Sequence, residues 1–135
     1  MKKIILKGLT AGTVLLIVSF LSLLLLVKLF PGIAEQYYDP MFSLEGGKSW
    51  MFFLHPYILS FAIAWFWSRF KTLFNGSYWL RGLEVGLVYA LIAILPSMWM
   101  IYSALSVSLT LVISWGIYGM LQAVISGIIS ARLSP

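Results

Sequence analysis

From Val85 to Ala131 the chain reads VGLVYALIAILPSMWMIYSALSVSLTLVISWGIYGMLQAVISGIISA, 47 residues without a formal charge. A helix crossing a hydrocarbon core of about 30 Å needs roughly 20 apolar residues at about 1.5 Å each, so this stretch is too long for one crossing and suffices for two. The polar break Tyr102-Ser103-Ala104-Leu105-Ser106 marks the turn between them. Working outward, Ser49 to Ser68 is uncharged between Lys48 and Arg69, and Gly8 to Val27 is uncharged between Lys7 and Lys28. The spacing predicts an all-α fold of four transmembrane helices, at about 5–30, 49–70, 80–102 and 106–131, in a single domain over residues 1–135.

The whole composition agrees. Of 135 residues 61% are apolar and 10% charged, with a mean hydropathy of +0.99, whereas soluble domains are near half apolar and a quarter charged. A water-soluble globule is excluded. The absence of cysteine excludes disulfide frameworks, thiolate zinc sites, iron–sulfur ligation and CxxC redox chemistry. There is no P-loop, GxGxxG, HExxH or paired-carboxylate motif, and one histidine cannot furnish a metal cluster. The expectation is therefore a non-enzymatic protein with no cofactor and no metal.

Four crossings put both termini on one side, and the bases choose the side. With the N-terminus cytoplasmic, Lys2, Lys3, Lys7, Arg69, Lys71, Arg81 and Arg132 lie inside and only Lys28 and Lys48 outside, a clear positive-inside bias. The net charge of +5 then reports orientation and contact with anionic lipid, not nucleic-acid binding. Gly32-Ile33-Ala34 offers a cleavage site for a signal peptide, but the preceding apolar run exceeds the roughly 7–15 residues of a signal core, so the first span is expected to be retained. Trp50, Phe52, Phe53, Trp99 and Tyr102 fall near the outer boundary, and Trp65, Trp67, Tyr78 and Trp79 near the inner one, as interfacial rings should.

Two stretches echo each other: Lys7-Gly8-Leu9-Thr10-Ala11-Gly12-Thr13-Val14 and Arg81-Gly82-Leu83-Glu84-Val85-Gly86-Leu87-Val88 both read base-Gly-Leu-x-x-Gly-x-Val. They are compatible with two parallel helical-hairpin repeats, or with glycines that simply recur near cytoplasmic helix ends. In the last span Ser114, Tyr118, Gln122, Ser126 and Ser130 recur every four residues, with Gly119, Ala123, Gly127 and Ala131 displaced by one. Successive i+4 positions form one ridge, so these make a polar-and-small stripe, while Leu109, Val112, Ile113, Met120, Leu121, Val124 and Ile128 are expected to cover the rest and meet lipid. The stripe reads either as a polar path through Tyr118 and Gln122 or as close packing through small residues. Gly82, Gly86 and Ala90, continued by Ala93 and Ser97, supply a matching surface on the third span.

His55-Pro56 falls inside the second span, because a helix starting at Pro56 would be too short to cross. Pro56 and Pro96 lie at similar depth, and His55 reads either as the edge of a small outward cavity that two kinks at one level can open, or as a lone histidine near the boundary that hydrogen-bonds headgroups or a freed carbonyl. Glu84 is the one carboxylate associated with a span, and reads either as a member of a polar membrane-embedded site with His55, Tyr118 and Gln122 or as an interfacial ion pair with Arg81 in the first helical turn. The segment 31–48, with Tyr37-Tyr38-Asp39-Pro40, is the sizeable outer loop and is either a partner surface or a connector draped on the headgroups. Asn75-Gly76-Ser77 reads as a cytoplasmic turn.

Together these features point to a multi-pass protein of the bacterial-type inner (cytoplasmic) membrane, with both termini cytoplasmic. The expected role is accessory, assembly or complex subunit, in contact with the lipid bilayer and working as a homo-oligomer or within a larger membrane complex. The alternative is a small oligomeric transporter or channel with its path along the fourth helix toward His55.

Overall fold

The computed structural model describes residues 2–42 and 49–134. Glu45 and Lys48, two of the charges assigned to the outer loop, lie outside the described residues. Helix α1 (Lys2–Leu29) ends one residue before Phe30, and Pro31 opens the short α2 (Pro31–Ala34), where its missing N–H costs nothing. Two 3-10 turns, Glu35–Tyr38 and Pro40–Phe42, follow. Helix α3 (Ser49–Phe70) contains Pro56 and leads through a 3-10 turn, Lys71–Leu73, to α4 (Tyr78–Tyr89). A π-helical turn, Ala90–Ile94, joins α4 to α5 (Leu95–Ala104), and α6 (Leu109–Leu133) completes the chain. No strand occurs among the described residues. Four helical stretches, with α4 and α5 counted as one, are long and apolar enough to cross a membrane.

Serines set two of the helix starts. Ser77 Oγ accepts from Leu80 N at 3.4 Å and Ser108 Oγ from Leu111 N at 3.1 Å, each satisfying an amide that the first turn leaves open. The third span therefore begins at Tyr78, earlier than the expected 80, and the fourth at Leu109, later than 106.

The prolines act differently. In α3 Pro56 is buried and the helix runs on. Pro96 lacks an N–H for the carbonyl of Ile92 and its ring crowds that carbonyl. Just before it the backbone widens: Leu95 N bonds Ala90 O, five residues back.

The register of contacts shows two antiparallel hairpins. A β-carbon on Gly8 or Gly12 would run into the rings of Phe61 and Tyr57, so α1 rises as α3 descends. In the second hairpin Gly82 faces Ile128 and Gly86 faces Val124. Helix α6 packs on α1, α3, α4 and α5 and is the axis of the bundle. Leu15, Leu59, Ile63, Trp67, Val85, Ala123 and Ala131 fill the core. Lys7 donates to Ser68 Oγ, and Trp67 Nε1 donates to Ser134 O at 3.0 Å, which brings both chain ends to the same end of the bundle.

Three expectations are corrected by this packing. Val112 is buried, and Val124 and Ile128 face the glycines of α4, so the exposed side of α6 is the narrower stripe Leu109, Ile113, Ile117 and Leu121. Trp67 is not an interfacial ring, since it is wholly buried and stacks on Phe74 at 5.8 Å. Glu84 lies in the second turn of α4, beyond the strongest part of the helix dipole, and among the described residues it forms no ion pair with Arg81. The Arg81 guanidinium turns instead to the Trp67 ring, 4.7 Å from its centroid, and donates to Lys71 O.

Candidate functional site

Where α4 bends away at the π-turn, a cavity of about 250 Å³ lies between α3, the α4–α5 junction and α6. Its polar lining comes from His55, Tyr89, Ser97, Trp115, Tyr118 and Gln122. Leu59, Ala93, Ile94, Met98 and Gly119 supply the apolar part. The π-turn borders this space with Ala93 and Ile94, and Ile94 lies against Gly116 and Gly119 of α6. Ala90, expected to continue that line, is half-buried at the start of the π-turn. Gly119 likewise belongs to the cavity wall, where an added β-carbon would come 3.2 Å from Ile94 Cδ1.

Gln122 is fully buried although it carries a primary amide. Its Nε2 donates to Tyr118 Oη at 2.8 Å, Tyr118 Oη donates to Ser19 Oγ, and Ser19 Oγ donates to Leu15 O at 2.7 Å. The chain of donors runs one way, from α6 into α1, and ends on a backbone carbonyl that uses a second lone pair. Gln122 Oε1 is left without a partner among the protein groups. An unsatisfied buried acceptor costs about 1–3 kcal/mol.

At the end away from the termini the wall is held by the first loop. Trp115 Nε1 donates to Tyr37 Oη, and Phe42 meets the Trp115 ring edge-on at 5.9 Å. Ser108, the cap of α6, donates to Gln36 Oε1 at 2.5 Å. This half of the 31–48 loop is thus folded onto the bundle, with Tyr38 left 87% exposed. Toward the termini the cavity is shut by a seam of backbone on backbone. A β-carbon on Gly127 would lie 2.8 Å from Gly82 O, and one on Gly82 would lie 2.6 Å from Ile128 N.

Of the residues singled out by sequence, His55, Tyr118, Gln122 and Gly119 line one cavity; Gly82, Gly86 and Gly127 form the seam beside it, and Ala123 is buried in the core. Glu84 is half-exposed on α4 and is not part of the lining. Ser19, Trp115 and Tyr89 were not anticipated, and Tyr37 was read only as part of the 31–48 loop. Ser19 had only a weak signal, one of four hydroxyls with Thr10, Thr13 and Ser22 in the apolar run of the first span; Trp115 had none, because its role depends on a loop contact 78 residues away. Among the described residues no group of three His, Cys, Asp or Glu could hold a metal ion. Comparison of the chain with protein families, with curated proteins and with solved structures gives no match.

Proposed function

We propose that this chain is a non-enzymatic integral membrane protein, an accessory or complex subunit of a bacterial-type inner membrane, that holds a small amphipathic ligand in the cavity beside Gln122. The carrying observation is the fully buried amide whose Oε1 has no partner and whose residue lines a cavity of about 250 Å³. A ligand hydroxyl, amide or amine would satisfy that acceptor, and the apolar walls would take its carbon body. A few placed polar groups in an apolar pocket are the usual make-up of a small-molecule site. Orientation follows from the bases: the end bearing Lys7, Arg69, Lys71, Arg81 and Arg132 faces the cytoplasm, and the cavity sits in the outer half. The Gly82–Gly127 seam favours binding over conduction, because a path along α6 would have to separate backbones that touch.

The chain has no thiol, so single cysteines report water directly. Gly119→Cys lies in the cavity and Leu121→Cys on the exposed side of α6 at nearly the same depth. A thiolate forms only where water reaches, so an impermeant maleimide added from outside should label Gly119→Cys and spare Leu121→Cys. Equal reaction at both, or at neither, would rule out a wet cavity. Reporter fusions at Gly46 and Gly76 should face opposite sides, with Gly46 outside; a cytoplasmic Gly46 would overturn the orientation.

A further inference from the structure

The count of protons along the contact between α6 and α1 fixes which end of the Gln122 amide is left for a ligand. Ser19 Oγ has one proton, and Leu15 O, which can only accept, takes it at 2.7 Å. The contact between Ser19 and Tyr118 therefore uses the proton of Tyr118. Tyr118 Oη then offers Gln122 only a lone pair, so the amide atom 2.8 Å from it is Nε2, whose other proton has Ser19 Oγ at 3.4 Å. Both N–H bonds are spent, and the reversed amide would set acceptor against acceptor. What remains is Oε1, a buried atom without a partner that accepts and cannot donate.

The rest of the lining narrows the ligand further. His55, Tyr89 and Ser97 can each donate or accept, so they adapt to what is bound, and Gln122 is the member that discriminates. No Asp, Glu, Lys or Arg lines the cavity, so a charged group would be desolvated there without a counter-charge. The walls suit a ring: Tyr89, Trp115 and Tyr118 bring aromatic surface, and Met98 a thioether that packs well against a ring edge. An apolar cavity of about 150 Å³ takes benzene, so one of about 250 Å³ holds a ring with substituents. His55 and Ser97 are exposed members of the lining, whereas Gln122 is fully buried. Ile58 and Met100, one helical turn on from His55 and Ser97, are exposed as well, so that edge of the cavity borders hydrocarbon and an alkyl tail can lie there.

We infer that the ligand is a lipid-soluble hydroquinone, its ring against the aromatic walls and one hydroxyl donating to Gln122 Oε1, and that the site takes this reduced form in preference to the quinone. A hydroxyl across the ring finds its acceptor in His55, Tyr89 or Ser97. A quinone of the same shape carries carbonyl oxygens alone and would set one of them against Oε1. An aliphatic alcohol brings the proton without the ring. The ligand class rests on the cavity reading above and deepens it.

The test uses the full chain in phosphatidylcholine nanodiscs under anaerobic conditions, titrated with tetramethylhydroquinone and with tetramethylbenzoquinone. Bound ligand is read by native mass spectrometry, and empty nanodiscs give the share that dissolves in lipid. The chain has no cysteine for a quinone to alkylate. The hydroquinone should bind about tenfold more tightly, the difference between one hydrogen bond made and one left unmade. Gln122→Leu should bring the two forms to equal affinity. Ala93→Leu, which fills the cavity from the opposite wall and leaves Gln122 in place, should weaken both forms together. Octanol should not displace the hydroquinone. Equal affinity of the two forms for the parent chain, a preference that survives Gln122→Leu, undiminished binding in Ala93→Leu, or displacement by octanol would each overturn the hydroquinone. With Gly119→Cys labelled by maleimide, such a result leaves the cavity standing; with Gly119→Cys unlabelled, the cavity reading fails too.

Discussion

The two hairpins use the same device at their terminal ends and then diverge. In α1/α3, Gly8 and Gly12 receive the side chains of Phe61 and Tyr57; in α4/α6, Gly82 and Gly86 receive Ile128 and Val124, again four residues apart. What differs is the kind of atom met. The first hairpin brings glycine against aromatic rings that can rotate away, and Tyr57 Oη still reaches Thr13 Oγ1 at 3.3 Å. The second brings backbone against backbone, through Gly82 O, Ile128 N and Gly127. Above that contact α1/α3 stays closed through the Phe20–Phe53 stack at 5.6 Å, whereas α4 passes into its π-turn, beside which the cavity lies. Close approach at one end and separation at the other follow from placing the glycines low on the helix and the proline high. In a bilayer, where lipid tails solvate apolar side chains as well as protein does, such packing and hydrogen-bonding differences decide association.

The largest expected effect is on the second seam. Gly127→Leu or Gly82→Leu forces a whole side chain between two backbones that cannot step aside, for a cost of about 3 kcal/mol or more, and folded protein should be lost in detergent-resistant yield or denaturant titration. Leu121→Ala, on the exposed side of α6, should be mild. Comparable tolerance at Gly127 and Leu121 would mean that the hairpins do not differ as described.

Next comes the divergence itself. Pro96→Ala restores an amide that can bond the carbonyl of Ile92, allowing Ala90–Ile94 to wind as α-helix and rotate α5 by one residue. The Gly119→Cys label described above should then fall sharply on that background with folded protein retained. Unchanged labelling would show that α6 packing, not the proline, holds the π-turn open.

The first hairpin should be more forgiving. Gly8→Ala and Gly12→Ala displace Phe61 and Tyr57, but the helix-propensity gain of about 1 kcal/mol for replacing glycine offsets much of that strain. Stability should move by less than about 1 kcal/mol, read by the same titration. A loss as large as in Gly82→Leu would erase the distinction between ring contacts and backbone contacts.

The smallest stability effect belongs to the residue proposed to matter most for binding. Gln122→Leu gives up the bond to Tyr118 within α6 and the one to Ser19 of α1, but also removes the unpartnered Oε1, and interhelical hydrogen bonds in membranes average only about 0.6 kcal/mol. Thermal unfolding should be unchanged or slightly higher, while any small molecule that copurifies with the parent chain in native mass spectra should be absent. Clear destabilisation with ligand content intact would make Gln122 a packing residue.

Much of the fold was legible in the sequence. The position of each helix along the chain follows from where Lys7, Lys28, Lys48, Arg69 and Arg81 interrupt apolar runs, because the length of an apolar stretch is a one-dimensional property. The four-residue ladder of α6 marked Gln122, Ser126 and Ser130 as one face, and all three are fully buried. The site was legible only in outline. His55 and Pro96 are related through predicted depth and Tyr118 and Gln122 through the four-residue ladder, without Ser19 or Trp115.

What the sequence by itself determined is therefore the set of apolar stretches, their order, the charges that bound them and which positions are small enough for close approach. Only the tertiary structure decided how far each helix is turned about its axis. That rotation put Val124 and Ile128 against glycines rather than outward, drew Arg81 to Trp67 instead of Glu84, carried Tyr37 to Trp115 and left Gln122 Oε1 unpaired. Helix rotation arises from contacts between residues distant in the chain, such as Tyr118 with Ser19 99 positions away, and periodicity within one helix cannot specify its phase against a neighbour.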